Sequence, residues 1–200
     1  MGAERLTTGT GQLLEGPLLL TPRVFGDERG FFFESWNQRT FAAALEADGQ
    51  APVRLVQDNH SRSSRGVLRG LHYQLPPQPQ GKLVRCVAGE IFDVAVDLRR
   101  GSASFGQWVG ARLSAENHQQ LWVPVGFAHG FLTLSENAEV LYKTTDFWSQ
   151  PCERSIRWND PQLAIDWPEE GLPQGQPLLA EKDGAAPVLA EALAAGEVFA

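Results

Sequence analysis

The sequence predicts an all-β protein, an antiparallel sandwich or barrel with a jelly roll as the strong candidate. Three observations point to this class. Thirteen prolines and twenty glycines divide the 200 residues into short segments. Many of these segments alternate apolar and polar residues with a period of two, which is typical of strands. Long helical patterns between them are missing, which disfavours parallel βαβ units.

About ten segments carry the strand pattern, each bounded by turn-forming residues. The clearest is 89–98, where Phe92, Val94 and Val96 face one way and Asp93 and Ala95 the other. In chain order the predicted strands are 31–36, 53–59, 67–74, 83–87, 89–98, 106–113, 120–125, 130–134, 139–145 and 155–158.

Helical pattern is scarce and confined to two short segments. Residues 40–47 form the first, and the alanine-rich stretch 187–193 forms the second. We expect residues 1–16 and about 169–200 to be less regular and peripheral. The prediction is a single domain over 1–200 with its core at about 17–190, since 200 residues fit one medium domain better than two.

The composition excludes several classes of function. Seventeen basic and twenty-four acidic residues leave a net charge of −7, which argues against a sequence-independent nucleic-acid binder. The longest apolar runs are only a few residues, so we expect no membrane partner. Two cysteines, Cys86 and Cys152, cannot form a disulfide framework, and no signal peptide is apparent, so we expect a cytoplasmic protein.

The four histidines do not form a metal-binding pattern. No two of them are two residues apart, and His72 is followed at that spacing by Gln74, a poor ligand for a transition metal. Cys86 lies in an apolar segment, which favours a buried and inert thiol over a nucleophile.

Polar residues within predicted strands are the remaining candidates for chemistry. His72 lies mid-strand, Lys82 stands at a strand start and His129 lies between small residues. Tyr142 and Trp148 share one parity and could line the same surface. Such residues in a barrel need partners or a solvated cavity, and barrel mouths are common small-molecule sites. The residues alone therefore predict a β-barrel or sandwich with a polar, metal-free cavity.

These segments resemble the dTDP-4-dehydrorhamnose 3,5-epimerase family of nucleotide-sugar metabolism. The resemblance covers about residues 17–190, in order and with similar spacing. The motifs that carry it are VFGDERGFFFE (24–34), QDNHS (57–61), RGLHYQ (69–74), QGKLVR (80–85), FDVAVDLR (92–99), PVGFAHGF (124–131), LYK (141–143) and WNDP (158–161).

The resemblance implies a cupin-type jelly roll (a double-stranded β-helix barrel) with a few short peripheral helices. It also implies a homodimer that uses no metal or other cofactor. The implied substrate is dTDP-4-keto-6-deoxyglucose, whose C3 and C5 are inverted on the way to dTDP-L-rhamnose. Both carbons flank the C4 ketone, so the reaction needs a base, an acid on the opposite face and a positive group at the developing oxyanion.

Four catalytic residues are implied by matching motif positions. His72 matches the base, Lys82 the residue that stabilises the enolate and Tyr142 the proton donor. The carboxylate that orients the base matches Asp183, in the sequence LAEKD (179–183), where the family has Ser in place of Ala180. Asp160 is the competing carboxylate, although its Asn-Asp-Pro context is typical of a turn.

The implied substrate-binding residues are spread along the chain. The arginines serve the diphosphate, and Trp148 matches an aromatic residue that stacks on thymine. The full set is Arg29, Glu34, Gln57, Asp58, Asn59, Arg69, Lys82, His129, Trp148, Glu153 and Lys182. Arg69 and His72 have opposite parity on a regular strand, so both reach the cavity only if Gly70 marks a bulge or the diphosphate lies at the rim.

Three alternatives remain open at the level of the sequence. The first is a single-site 3- or 5-epimerase acting in another dTDP-deoxysugar pathway. The second is a non-catalytic sugar-nucleotide binder with a cupin fold, and the third is a metal-dependent cupin oxygenase that would use His72 and His129 as ligands.

Overall fold

The computed structural model describes all 200 residues and contains thirteen strands and three short α-helices. The strands are β1 (Gly2–Thr7), β2 (Leu13–Thr21), β3 (Phe25–Asp27), β4 (Gly30–Phe32), β5 (Gln57–Ser64), β6 (Leu68–Gln74), β7 (Lys82–Ala88), β8 (Glu90–Asp97), β9 (Trp108–Ser114), β10 (Gln120–Val123), β11 (Phe127–Thr133), β12 (Asn137–Thr144) and β13 (Glu153–Ser155). The helices are α1 (Gln38–Ala47), α2 (Glu181–Gly184) and α3 (Leu189–Ala194).

Eleven of the strands form two facing antiparallel sheets. The first sheet has six strands in the order β1-β2-β10-β7-β12-β5, and the second has five in the order β13-β6-β11-β8-β9. The remaining two, β3 and β4, pair only with each other as a hairpin. The predicted all-β jelly roll is therefore confirmed. None of the helices has the length and apolar composition needed to cross a bilayer.

Three apolar clusters hold the layers together. The central one lies between the sheets and includes Val84, Val109 and Phe127. The second covers the outer face of the five-stranded sheet, where the C-terminal segment packs through Ile156 and Leu189. The third lies beneath α1 on the outer face of the six-stranded sheet. Because both sheets are covered outside as well as inside, strands such as β8 are apolar on both faces.

Helix α1 begins where the sequence provides a cap. The side chain of Asn37 accepts hydrogen bonds from the backbone N–H groups of Arg39 and Thr40, which have no partner within the helix. Phe41 and Leu45, four residues apart, are its fully buried residues. The predicted helix at 40–47 is thus confirmed with a start two residues earlier.

The chain ends differ from the expectation of irregular, peripheral segments. Strand β2 lies inside the six-stranded sheet between β1 and β10, and Leu14 is 1% exposed in the central cluster. At the other end, Leu189 is fully buried. The alternation that predicts strands is broken in β2 by Gly16 and Pro17, so its pairing is set by the neighbouring strands and not by its own pattern.

Among the other strand boundaries that differ from the prediction, two lie next to α1 in the chain. Residues 53–56 precede β5 without joining it, and the carbonyl of Val53 accepts a hydrogen bond from Gln38 of α1. Residues 33–36 leave β4 to form the loop that leads to the cap of α1. In both places apolar residues pack against the cluster beneath α1, so they are partly buried without joining a strand.

Candidate active site

A cavity of about 450 Å³ lies between the two sheets, next to the central apolar cluster. This volume falls within the range typical of small-molecule sites. Nine of the fourteen predicted site residues line it: Arg69, His72, Lys82, His129, Tyr142, Trp148, Glu153, Lys182 and Asp183. The three residues matched to base, oxyanion stabiliser and proton donor therefore face one space.

His72 on β6 is paired with a buried carboxylate. Its Nε2 atom lies 2.6 Å from Oδ1 of Asp183, which is 2% exposed. Oδ2 of Asp183 accepts the backbone N–H of Gly70 at 3.4 Å, so both carboxylate oxygens are used. Burial lowers the pKa of His72, against the opposing effect of Asp183. The imidazole is therefore mostly neutral near pH 7, with Nδ1 as the nitrogen left to act on a ligand.

A bulge at Gly70 brings Arg69 and His72 to the same cavity. On β11, the partners of His72 and Arg69 are His129 and Phe131, so three steps along β6 oppose two along β11. Gly70 has φ +132°, and a Cβ there would lie 2.5 Å from Cα of Gly130. Of the two alternatives left open by the sequence, the bulge at Gly70 is therefore present, and only glycine fits it.

Lys82, the first residue of β7, places an ammonium group at the base of the cavity. It is 8% exposed, and its Nζ donates to the backbone carbonyl of His72 at 3.1 Å. Burial lowers the pKa of Lys82 to about 8, because the charged form loses hydration. The side chain is thus a cation at neutral pH whose charge is only weakly shielded by water.

His129 forms a second histidine–carboxylate pair, with Asp93 on β8. Its Nε2 lies 2.7 Å from Oδ1 of Asp93, which is fully buried. His129 and His72 are direct cross-strand neighbours. Asp93 is not among the residues predicted for the site, although an acidic residue in an apolar strand is a usable signal. Phe131, which lines the cavity two residues after His129, is likewise absent from the prediction.

Tyr142 and Trp148 stand on the side of the six-stranded sheet. Burial raises the pKa of the Tyr142 phenol, so it stays protonated at neutral pH. Trp148, in the loop after β12, is 56% exposed at the cavity mouth, and its backbone N–H donates to Oε1 of Gln57 at 3.1 Å. Gln57 also donates to Asn59 at 2.9 Å. Gln57 and Asn59 therefore support the mouth without lining the cavity.

Three charged residues form the rim of the cavity. Lys182 donates to Glu153 at 3.1 Å across the mouth. The guanidinium of Arg69 donates to Oγ of Ser63 at 3.0 Å and to the carbonyl of Arg62 at 3.2 Å. No carboxylate pairs with this arginine within the chain, so its charge is free to meet an anion.

Three predicted binding residues lie elsewhere. Arg29 is on the exposed β3–β4 hairpin, where it pairs with Asp27, and Glu34 accepts a hydrogen bond from Asn37 near α1. Asp58 points to the outer face of its sheet and pairs with Lys143 at 2.6 Å. The competing carboxylate Asp160 caps a turn and accepts the backbone N–H of Leu189, and it does not line the cavity.

The model of the dTDP-4-dehydrorhamnose 3,5-epimerase family matches residues 12–191 of this chain. The chain belongs to this family. A family member from Pseudomonas aeruginosa, named dTDP-4-dehydrorhamnose 3,5-epimerase, is 66% identical over 175 residues, covering 88% of this chain and 92% of that protein. A more distant relative from Streptomyces niveus, 41% identical over 92% of this chain and 84% of that protein, is named dTDP-4-dehydrorhamnose 3-epimerase.

A solved structure supports the same family fold. A dTDP-6-deoxy-D-glucose-3,5-epimerase from Legionella pneumophila, in complex with dTDP-4-keto-L-rhamnose, superposes with a TM-score of 0.86. It is 48% identical, and the match covers 99% of this chain and 98% of that one. The cupin-type jelly roll of the epimerase family is thus the fold of this chain over nearly its whole length.

Proposed function

We propose that this chain is a dTDP-4-dehydrorhamnose 3,5-epimerase. The substrate is dTDP-4-keto-6-deoxy-D-glucose, and inversion at C3 and C5 yields dTDP-4-dehydro-L-rhamnose without a cofactor. The observation that carries the proposal is the convergence of His72, Lys82 and Tyr142 on one cavity. These side chains supply the base, the cation and the acid that epimerisation beside a ketone requires.

Proton abstraction falls to His72. Nδ1 is the free nitrogen, because Nε2 is held by Asp183 at 2.6 Å. As His72 takes the proton from C3 or C5, the imidazolium that forms is stabilised by the buried carboxylate beside it. Asp183 thus orients the imidazole ring before the reaction and stabilises the positive charge that the ring gains when it takes the proton.

Charge on the enolate oxygen is met by Lys82. Removing either proton places negative charge on the oxygen at C4, and the buried ammonium interacts more strongly with that oxyanion than with the neutral ketone. Since Lys82 is only 8% exposed, the interaction is stronger than it would be on the surface.

Reprotonation falls to Tyr142, which lies on the sheet opposite His72. The phenol remains protonated at neutral pH because burial raises its pKa. A donor on the far side of the ring returns a proton to the face opposite the one deprotonated, and this inverts the carbon.

The nucleotide is held at the mouth and rim of the cavity. Trp148 offers an exposed indole for stacking on thymine, and Arg69 offers an unpaired guanidinium for the diphosphate. Glu153, Lys182 and His129 face the same opening and contact the sugar or the phosphates.

Proton exchange with solvent is the experiment that tests this proposal. Incubation with dTDP-4-keto-6-deoxy-D-glucose in D₂O should introduce deuterium at both C3 and C5 of the product, detected by NMR. Deuterium at one carbon only would replace the proposal with a single-site epimerase, the activity in the name of the Streptomyces niveus relative. Binding without exchange would make the chain a sugar-nucleotide binder.

We also propose that the active form is a homodimer in the cytoplasm. The β3–β4 hairpin exposes Phe25, Phe31 and Phe32, an apolar surface that a second copy would cover. Arg29, a predicted phosphate ligand, lies on the same hairpin and outside the cavity of its own chain. The two cysteines are unpaired, in keeping with a reducing compartment.

A further inference from the structure

Asp93 is a buried carboxylate, and one of its two oxygens has no hydrogen-bond partner. It is fully buried on β8, and Oδ1 accepts a hydrogen bond from Nε2 of His129 at 2.7 Å. Oδ2 is also buried, and it has no hydrogen-bond partner within the chain. Burying an ionised carboxylate with an unpaired oxygen costs desolvation free energy, which a favourable interaction with a nearby cation can offset.

The negative charge of Asp93 favours the charged form of Lys82. Burial lowers the pKa of Lys82 to about 8, and the strongest opposing influence is Asp93, followed by Glu153. Glu153 already forms an ion pair with Lys182 at the rim. Asp183, from α2, is likewise committed to His72. Asp93 is therefore the carboxylate that is free to offset the charge of Lys82.

The same carboxylate sets the orientation of His129. Because Nε2 of His129 is bound to Asp93, the ring presents Nδ1 to the cavity that the residue lines. The buried carboxylate on β8 thus orients a side chain of β11 through a hydrogen bond and favours the charged form of a lysine on β7.

We propose that Asp93 is a positioning residue of the reaction, which holds Lys82 in its charged form and His129 with Nδ1 toward the substrate. The inference rests on the proposed function, since it concerns the stabilisation of the enolate oxygen. Without Asp93, Lys82 would lose its proton at a lower pH and the enolate would lose its counter-charge.

The first test is the pH profile of solvent exchange in Asp93→Asn. This change preserves the shape of the side chain and removes its charge. We expect the alkaline limb of kcat/KM to move down by about 1–3 pH units, the shift typical of losing a nearby opposite charge. Asp97→Asn is the matched control: Asp97 is also fully buried, four residues along β8, but it pairs with Arg99 away from the cavity. It should leave the position of that limb unchanged even if it lowers stability.

A second measurement reports on Lys82 directly. The chain has only three lysines, so ¹³C-labelled lysine gives three titration curves, assigned with Lys143→Arg and Lys182→Arg. Lys82 should titrate at lower pH in Asp93→Asn than in the wild type, with Lys143 on the outer face as the unchanged reference. Identical Lys82 curves, or an unshifted alkaline limb, would overturn the proposal.

A third measurement avoids the variant altogether, in case Asp93→Asn does not fold. ¹⁵N multiple-bond spectra of the wild-type imidazoles distinguish the tautomers of the four histidines. We expect neutral His129 to carry its proton on Nε2, and a proton on Nδ1 would overturn the proposed orientation. Absence of any solvent exchange in the wild type would overturn the proposed function instead, so the two failures are distinguishable.

Discussion

In the proposed mechanism, the protonation states of His72 and Lys82 define the pH range in which the site can work. His72 must be neutral to accept a proton, and burial lowers its pKa from 6.5, so its active form is present above that lowered value. Lys82 must be charged, and its pKa is about 8, so its active form is lost as the pH rises through that value. We expect a bell-shaped profile of kcat/KM, measured by product formation across both limbs.

The alkaline limb has its own control. Arginine stays charged at every pH of the assay. The Lys82→Arg variant should therefore have a lower kcat/KM, and its kcat/KM should no longer fall on the alkaline side. Persistence of the limb in this variant would assign it to another group.

Replacing His72 separates its chemical role from a binding role. His72→Ala should reduce turnover by about 10²–10⁴-fold, the usual contribution of a general base, while dTDP binding by calorimetry stays nearly unchanged. His60→Ala is the matched control, because His60 is exposed and pairs with Glu139 outside the cavity. Wild-type turnover in His72→Ala would remove this residue from the mechanism.

The chain has two tyrosines, and this gives the proton donor a matched control. Tyr142→Phe removes only the hydroxyl that faces the cavity. We expect solvent exchange at the substrate carbons to persist while formation of the inverted product slows, as followed by NMR. Tyr73→Phe removes a hydroxyl that donates to the carbonyl of Glu197 outside the cavity, and it should leave both rates intact. Equal product rates in wild type and Tyr142→Phe would show that another acid serves.

At the scale of the element, the bulge in β6 is the feature on which the site geometry depends. Gly70→Ala should lower the free energy of unfolding by about 3–5 kcal/mol, because a left-handed backbone and a 2.5 Å clash with Gly130 act together. Gly49→Ala, at φ +83° with open space around it, isolates the backbone cost and should lose about 1–2 kcal/mol. Urea unfolding compares the two, and equal losses would mean that the close approach to Gly130 has no energetic weight.

The elements differ in how far the sequence could predict them. Strands with clear alternation, such as β8, and the capped helix α1 were predictable because local pattern and final packing agree. Strand β2 was not, since Gly16 and Pro17 interrupt its pattern and its neighbours come from distant parts of the chain. In the site, motif positions predicted that His72, Lys82 and Tyr142 share a cavity, whereas the pairing of Asp93 with His129 could not be predicted because it depends on how β8 and β11 align.

At the scale of the whole molecule, the proposed dimer can be tested by mixing inactive variants. If Arg29 serves the cavity of the partner subunit, Arg29→Ala in one subunit and His72→Ala in the other affect the same site of a mixed dimer. One of the two sites then carries both defects and the other carries neither, so mixing after co-refolding should restore measurable turnover. No recovery, in a mixture shown by light scattering to be dimeric, would mean that each subunit works with its own hairpin.

The position of Asp183 also bears on when the molecule becomes competent during synthesis. Every strand of both sheets has been made by Ser155, yet the carboxylate that holds His72 follows well after that point, in α2. A ribosome that stops between these two residues therefore releases the complete set of strands with an unanchored imidazole. The last segment of the polypeptide therefore completes the His72–Asp183 pair of the proposed site.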